Sequence, residues 1–352
     1  MAIRSFDDYH GHEAVYRVDD EVTGLRAVIA IHSTTMGPAL GGTRYLPYRR
    51  DDDAVADALR LSRAMTYKNV LAGAPAGGGK AVLIADSSVG KTPALLAAYG
   101  ALLNRLGDVF GTGEDVGFSV ADCEEVRRVS PFIAGTDSAG SGNPAVHTAL
   151  GVLEAIVTTA ERLFGTRDLA GRRIAVQGLG AVGSRLAAHL HDRGAELTVA
   201  DVDPALVDRA VAAWGAHPER PERIHAADVD VFSPCALGGV LHDGTIGDLR
   251  CRAIVGAANN QLARADLADA LGARSILWAP DFVVSAGGIL GAFEEVARMP
   301  GRPPVPDTPL DERLRGIGVR LGTIFDRAES SGVATHAAAV ALAESLLAAA
   351  RR

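Results

Sequence analysis

Residues 174–183 read Ile174-Ala-Val-Gln177-Gly178-Leu179-Gly180-Ala181-Val182-Gly183, an apolar strand that runs into GxGxxG and on into a helical pattern. In that setting the first glycine makes a tight turn, the second lets a pyrophosphate approach the backbone, and the third lets helix and strand pack closely. The N–H groups at the helix start, around Ala181 and Val182, and the positive end of its dipole suit phosphate. The next strand ends at Asp201, about 20 residues beyond the first glycine, where an acidic side chain accepts from a ribose 2′-OH. Val202, Asp203 and Pro204 follow, with no arginine for a 2′-phosphate, so NAD is read as the cofactor in preference to NADP. The residues from 139 to 331 are thus read as a Rossmann-type domain, with further strands expected near Val229–Phe232, Ala253–Gly256 and Ser275–Trp278. Strands alternating with helices make a parallel sheet covered on both faces.

Before it, residues 1–138 read as a second α/β domain. Leu25, Ala27, Ile29 and Ile31 fall at period two, the pattern of a strand with one buried face. Asp51-Asp52-Asp53 begins a helix, since carboxylates favour its N-terminal dipole, and this helix is expected to end near Lys68. Thr92-Pro93 and Ser119 with Asp122 mark two more helix starts. The small, polar stretch Gly140–Pro144 reads as a hinge, and the proline-rich Met299–Pro309 as a surface loop. The last helix, within 332–352, is expected to return to the first domain.

Composition narrows the classes. The chain has 352 residues, 48% hydrophobic and 22% charged, which suits two globular domains. A net charge of −8 and the lack of a basic cluster argue against nucleic acid as a partner. No apolar run reaches the length of a membrane span, and the N-terminus lacks the apolar stretch of a signal peptide. Cys123, Cys235 and Cys251 are odd in number and widely spaced, which fits a reducing cytoplasm.

Metal chemistry is not expected. His189 and His191, two apart on a helix, point away from each other, and His10 and His12 read as surface residues. A P-loop at Gly90-Lys91-Thr92 fails because position 85 is Ala.

Lys68 in MTYKN, Lys80 in GGGK and Asp115 in GTGEDVG stand out. Taken singly, a lysine is usually solvated and an aspartate after a strand is a turn residue. Lys80, however, follows three glycines and enters an apolar strand. With GPALGGTR, GSGNP, PCALGG, GAANNQL, APDFVVSAGG and GVAT in the same order, the chain resembles the glutamate, leucine, valine and phenylalanine dehydrogenases over nearly its whole length. A shikimate-type dehydrogenase would not require the two lysines or the asparagine pair, and a non-catalytic NAD-binding regulator would not require Lys68, Lys80 and Asp115 together.

The resemblance implies a homo-oligomeric, NAD-dependent enzyme that oxidatively deaminates a small-molecule amino-acid substrate in a cleft between two domains. It implies that Lys68, with Asn260, binds the substrate carboxylate, that Lys80 is the general base, and that Asp115 exchanges protons with the amino group. Gly41 and Gly42 would line the substrate through their backbone, and Asn259 and Ser285 would lie at the nicotinamide. Ser285 departs from the family's usual asparagine and has shorter reach.

The related glutamate enzymes carry a lysine in GPxKGG where this chain has Leu40, so an apolar side chain is implied. Leu40, Gly113, Ile289 and Ala292 fall at the side-chain pocket. Gly113 and Ala292 leave room for a phenyl ring, whereas Ile289 suits a branched aliphatic chain. GSGNP and NNQL look more like the leucine and valine enzymes. A leucine- or valine-like substrate is therefore read, with phenylalanine as the alternative.

Overall fold

The computed structural model describes residues 3–86, 88–135 and 143–351. It divides the chain into two compact α/β units: 1–142 with 291–307 and 344–352, and 143–290 with 308–343. Relative to the expected domains, 291–307 joins the first unit, and the C-terminal return begins at Glu344. Of the expected hinge, 140–142 lie outside the described residues. Asn143 caps the helix that follows, accepting from Ala145 N at 2.9 Å.

In the first unit a six-stranded sheet is built from β1 (Ala14–Asp20), β2 (Leu25–Ser33), β3 (Ala39–Leu40), β4 (Thr43–Leu46), β5 (Gly77–Ile84) and β6 (Phe110–Gly111). Its order is β1-β2-β5-β3-β6, with β4 also on β5. β3 and β4 run along the same edge of β5 and are separated only by Gly41-Gly42. Helix α1 (Asp51–Ala72) covers one face, and α2 (Pro93–Leu106) with α3 (Val120–Arg127) the other. Ala27, Ile29, Ala81 and Leu83 pack with α2, while Val28, Ala30, Val82 and Ile84 pack with α1. β2 is therefore buried on both faces, not one, because α1 supplies a second apolar layer.

Helix α1 also runs a turn past the expected end. Gly73, at φ 70°, closes it and donates to Asn69 and Val70, the left-handed cap that glycine favours. Lys68 thus sits one turn before the end of the helix. The expected caps at Thr92 and Ser119 form as read.

The second unit begins with α4 (Pro144–Phe164) and carries a parallel sheet of β7 (Arg173–Gln177), β8 (Glu196–Ala200), β9 (His217–Pro218), β10 (Val231–Pro234), β11 (Ala253–Ile254) and β12 (Leu277–Trp278). Its order is β12-β11-β10-β7-β8-β9. Helices α5 (Gly183–Asp192), α6 (Pro204–Trp214), α7 (Asp243–Ile246) and α8 (Leu267–Ala273) connect these strands. α9 (Asp281–Val284), α10 (Gly287–Val296), α11 (Leu310–Ser331) and α12 (Thr335–Ala350) complete the chain, which passes from one unit to the other within α10 and within α12. No single described helix is long and apolar enough to cross a membrane.

Two surface readings are corrected. Met299 is 3% exposed, and the Arg302 guanidinium nitrogens are buried, so the proline-rich loop turns two side chains inward. His12 is buried as well, its Nε2 3.0 Å from both Leu59 O and Ser62 Oγ of α1. Beside it His32 bonds Thr66 Oγ1 at 2.8 Å, and the two rings meet edge-on at 4.9 Å.

Burial, with the nearby His12 and Arg63, pushes the His32 imidazole down to about 4. The unfolded chain takes up its proton near 6.5, so the contribution of neutral His32 is complete above that value. It is lost as pH falls towards 4, at up to about 1.4 kcal/mol per pH unit. Urea unfolding between pH 7.5 and 5 will show this loss, and His32→Gln will flatten it.

Candidate active site

Lys80 lies on the α1 side of β5, in the alternating series Gly78, Lys80, Val82 and Ile84. It is 5% exposed, an amine set into a row of apolar side chains. Its Nζ meets Asp115 Oδ2 at 2.6 Å. Asp115 stands on the loop after β6, where its N–H donates to Phe118 O and its C=O accepts from Phe118 N. Arg44 at the start of β4 reaches the same Oδ2 at 3.3 Å, and its Nη1 reaches Asp57 of α1 at 2.9 Å. Tyr48 donates to that Asp57 oxygen at 2.7 Å.

Burial lowers the affinity of the Lys80 amine for its proton, and this outweighs the opposing pull of Asp115. Burial alone would raise Asp115, but the Lys80 ammonium and the Arg44 guanidinium hold the carboxyl below its ordinary range. The result is an amine with a lowered pKa against a carboxylate with a lowered pKa, a pairing suited to proton transfer.

Gly42 is what lets the two meet. A Cβ there would lie 2.7 Å from Glu114 O, 2.9 Å from Asp115 Cβ and 3.4 Å from Lys80 Nζ. Its carbonyl accepts from Ala81 N, and Gly41 N donates to Gly111 O. These backbone groups thus take part in the sheet, and Gly42 contributes chiefly the space it leaves. Lys68 lies half-buried one turn before the end of α1, and Leu40 is buried beside Gly78 and Gly111 in the sheet. Gly113 follows β6. Arg44 and Asp57 escaped the sequence reading. The signal for Arg44 was the glycine pair that places it two residues beyond Gly42.

The second unit holds the nucleotide residues. Gly178 turns at φ 91°, and a Cβ on it would strike Ala236 at 2.8 Å. A Cβ on Gly183 would fall 1.8 Å from Gly178 O, whereas one on Gly180 meets nothing within 4 Å. The first and third glycines therefore hold the turn against β7 and α5, and the second faces open space. Ala181 and Val182 follow at the N-terminus of α5. Asp201 accepts Leu179 N at 2.6 Å and Asp203 N at 2.9 Å, which fixes its carboxylate beside the loop with lone pairs to spare. These residues fit a dinucleotide.

Asn259 and Asn260 are exposed after β11, Asn260 at φ 52°. Buried Gln261 anchors them through Asp281, Gly256 and Trp278. Ser285 donates to Asn259 Oδ1 at 3.4 Å. Ile289 belongs to this unit, and Ala292, a turn on along α10, to the first.

A dinucleotide fold and a buried lysine–aspartate pair suit an oxidoreductase. The chain belongs to the glutamate/leucine/phenylalanine/valine dehydrogenases. The model of that family's dimerisation domain matches residues 10–122, and that of its second domain matches 140–214 and 207–352. It is thus an amino-acid dehydrogenase.

It is 43% identical over 335 residues to the L-tryptophan dehydrogenase of Nostoc punctiforme, covering 95% of this chain and 93% of that one. The crystal structure of the Nostoc enzyme superposes with a TM-score of 0.87 over 97% of each chain at 39% identity. Identity to the leucine dehydrogenase of Bacillus subtilis is 38% over 346 residues, covering 98% and 93% of the two chains. Identity to the phenylalanine dehydrogenase of Caldalkalibacillus thermarum is 40%, covering 96% and 92%.

Gly42→Ala is expected to lower kcat about 100-fold, the effect of displacing reacting groups by about 1 Å, while circular dichroism keeps its native form. Steady-state kinetics at saturating substrate will measure it.

Proposed function

We propose that the enzyme catalyses the reversible, NAD-dependent oxidative deamination of an apolar L-amino acid to its 2-oxo acid, ammonia and NADH. The buried Lys80–Asp115 pair with Gly42 beside it carries this reading. Lys68, with Asn260, holds the substrate carboxylate, which fixes Cα. Asp115 takes a proton from the amino nitrogen and returns one to the departing ammonia. Lys80, neutral in the working form, removes a proton from the water that attacks the imine carbon. When bound, NAD supplies the acceptor for the hydride from Cα. Exclusion of bulk water keeps the imine from premature hydrolysis.

Gly178, Gly180, Ala181, Val182 and Gly183 would hold the pyrophosphate, and Asp201 the adenosine ribose. Asp201 and Asp203 disfavour a 2′-phosphate, which supports NAD. Asn259 and Ser285 would hold the nicotinamide end. Leu40 in place of a lysine supports an apolar side chain, since a buried unpaired carboxylate costs several kcal/mol. Leu40, Gly113, Ile289 and Ala292 would line its pocket, and both branched aliphatic and aromatic chains suit their apolar character. The match to a dimerisation domain supports a homo-oligomer, and the free, largely buried cysteines support work in a reducing cytoplasm.

NADH formation with a panel of L-amino acids is the test. Turnover will rise with pH along a limb whose midpoint lies below 10.5, the ordinary lysine value, because the base acts only when deprotonated. Lys80→Ala will lose about 10²–10⁴-fold in kcat. NADH formation that survives in Lys80→Ala, or none from any apolar amino acid, would remove the assignment.

A further inference from the structure

The loop after α10 brings a cation to the sheet face that carries Lys80. Parallel pairing sets Leu40 opposite Gly78 on one side and opposite Gly111 on the other. The row Gly78–Leu40–Gly111 therefore shares the α1 side with Lys80, while Ala39 and Phe110 turn to the other core. Over Gly111 lie Met299 and Arg302. A Cβ on Gly111 would meet Arg302 Nη2 at 2.7 Å and Met299 Sδ at 3.1 Å. All of these residues belong to the first unit.

The Nε, Nη1 and Nη2 atoms of Arg302 are each buried, and among the described residues none has a hydrogen-bond partner. Burial lowers the guanidinium's pKa to about 10 against the pull of Asp108. It remains a cation near neutral pH. A buried, unpaired charge is costly to keep, and a side chain kept at such cost one strand away from Leu40 calls for a reason.

We propose that Arg302 is a specificity-determining residue that selects an aromatic substrate side chain by presenting its guanidinium to the ring face. This narrows the apolar-amino-acid reading above and rests on it. An aliphatic side chain against the guanidinium would return nothing to a charge already held out of water. A phenyl or indole face attracts the cation through the ring quadrupole, most strongly for indole, and the flat, weakly hydrated guanidinium stacks on such a face better than an ammonium does. Leu40 removes the cation that would bind a carboxylate from one strand, and Arg302 adds a stacking surface at the next. The branched-chain reading drew on Ile289, which lies in the other unit, and on the GSGNP and NNQL segments.

The test compares L-phenylalanine with L-cyclohexylalanine, similar in size but without a π face, together with L-tryptophan, L-leucine and L-glutamate. Wild type, Arg302→Met and Arg302→Lys are measured for kcat and KM. Wild type is expected to prefer phenylalanine over cyclohexylalanine, and tryptophan over leucine. In Arg302→Met the phenylalanine-to-cyclohexylalanine ratio of kcat/KM should fall roughly 3- to 30-fold, the range of a desolvated cation–π contact, mainly through KM. Arg302→Lys should keep part of that ratio. Tm should rise in Arg302→Met because an unpaired buried charge is gone. Arg302→Gln replaces it if the Met variant fails to fold.

An equal loss on all substrates, or an unchanged ratio in an enzyme that deaminates apolar amino acids, would overturn the role of Arg302 alone. Glutamate as the preferred substrate, lost in Arg302→Met, would show that the guanidinium pairs with a carboxylate instead. A wild type inactive on every apolar amino acid would remove the deamination reading and this inference with it.

Discussion

A lysine amine held out of water on the inner face of a strand, 2.6 Å from a carboxylate, is the constraint on which the first unit depends. The strand must be central to bury the amine, and helix α1 must cover it. Burial disfavours the charged amine, while the carboxylate returns part of that loss. A pair poised in this way costs stability relative to an apolar core, so folding alone does not explain its place in the sheet, whereas the proposed proton transfer does. Arg44 and Asp57 extend it into a chain of alternating charge. Arg44 adds to Lys80 in holding the Asp115 carboxyl below its ordinary range.

Small residues do the rest of the positioning. β3 and β4 would be one continuous strand along β5 but for Gly41-Gly42, and that break opens the space where Lys80 and Asp115 meet. In the second unit the same economy of atoms appears at Gly178 and Gly183, where neighbouring backbone leaves no room for a side chain. Gly180, between them, faces open space. One unit thus presents a buried lysine–carboxylate pair and the other a glycine-lined turn, with Lys80 on a strand and Asp115 and the glycines in the turns that leave strands of a covered sheet.

Much of this was legible in the sequence because the signals are local. GxGxxG after an apolar strand, the aspartates that open α1, and the caps at Thr92 and Ser119 each act within a few residues. The end of α1 was missed because the closing Gly73 lies beyond Lys68, where helical periodicity fades. His12 and Arg302 were missed for a different reason. A polar or proline-rich stretch reads as surface, and only tertiary packing against α1 or β6 shows which of its side chains turns inward. Arg44 and Asp57 join Asp115 across 71 and 58 residues of chain respectively, roughly the scale at which spacing carries no local signal.

The most direct measurement is the titration of Lys80 itself, by the pH dependence of its acylation rate in the intact enzyme, followed by peptide mass spectrometry. A midpoint below the ordinary 10.5, moving further down in Asp115→Asn as the neighbouring negative charge is removed, is the result predicted. A midpoint at or above 10.5, unmoved by that substitution, would contradict the claim that burial against Asp115 prepares this amine as the base.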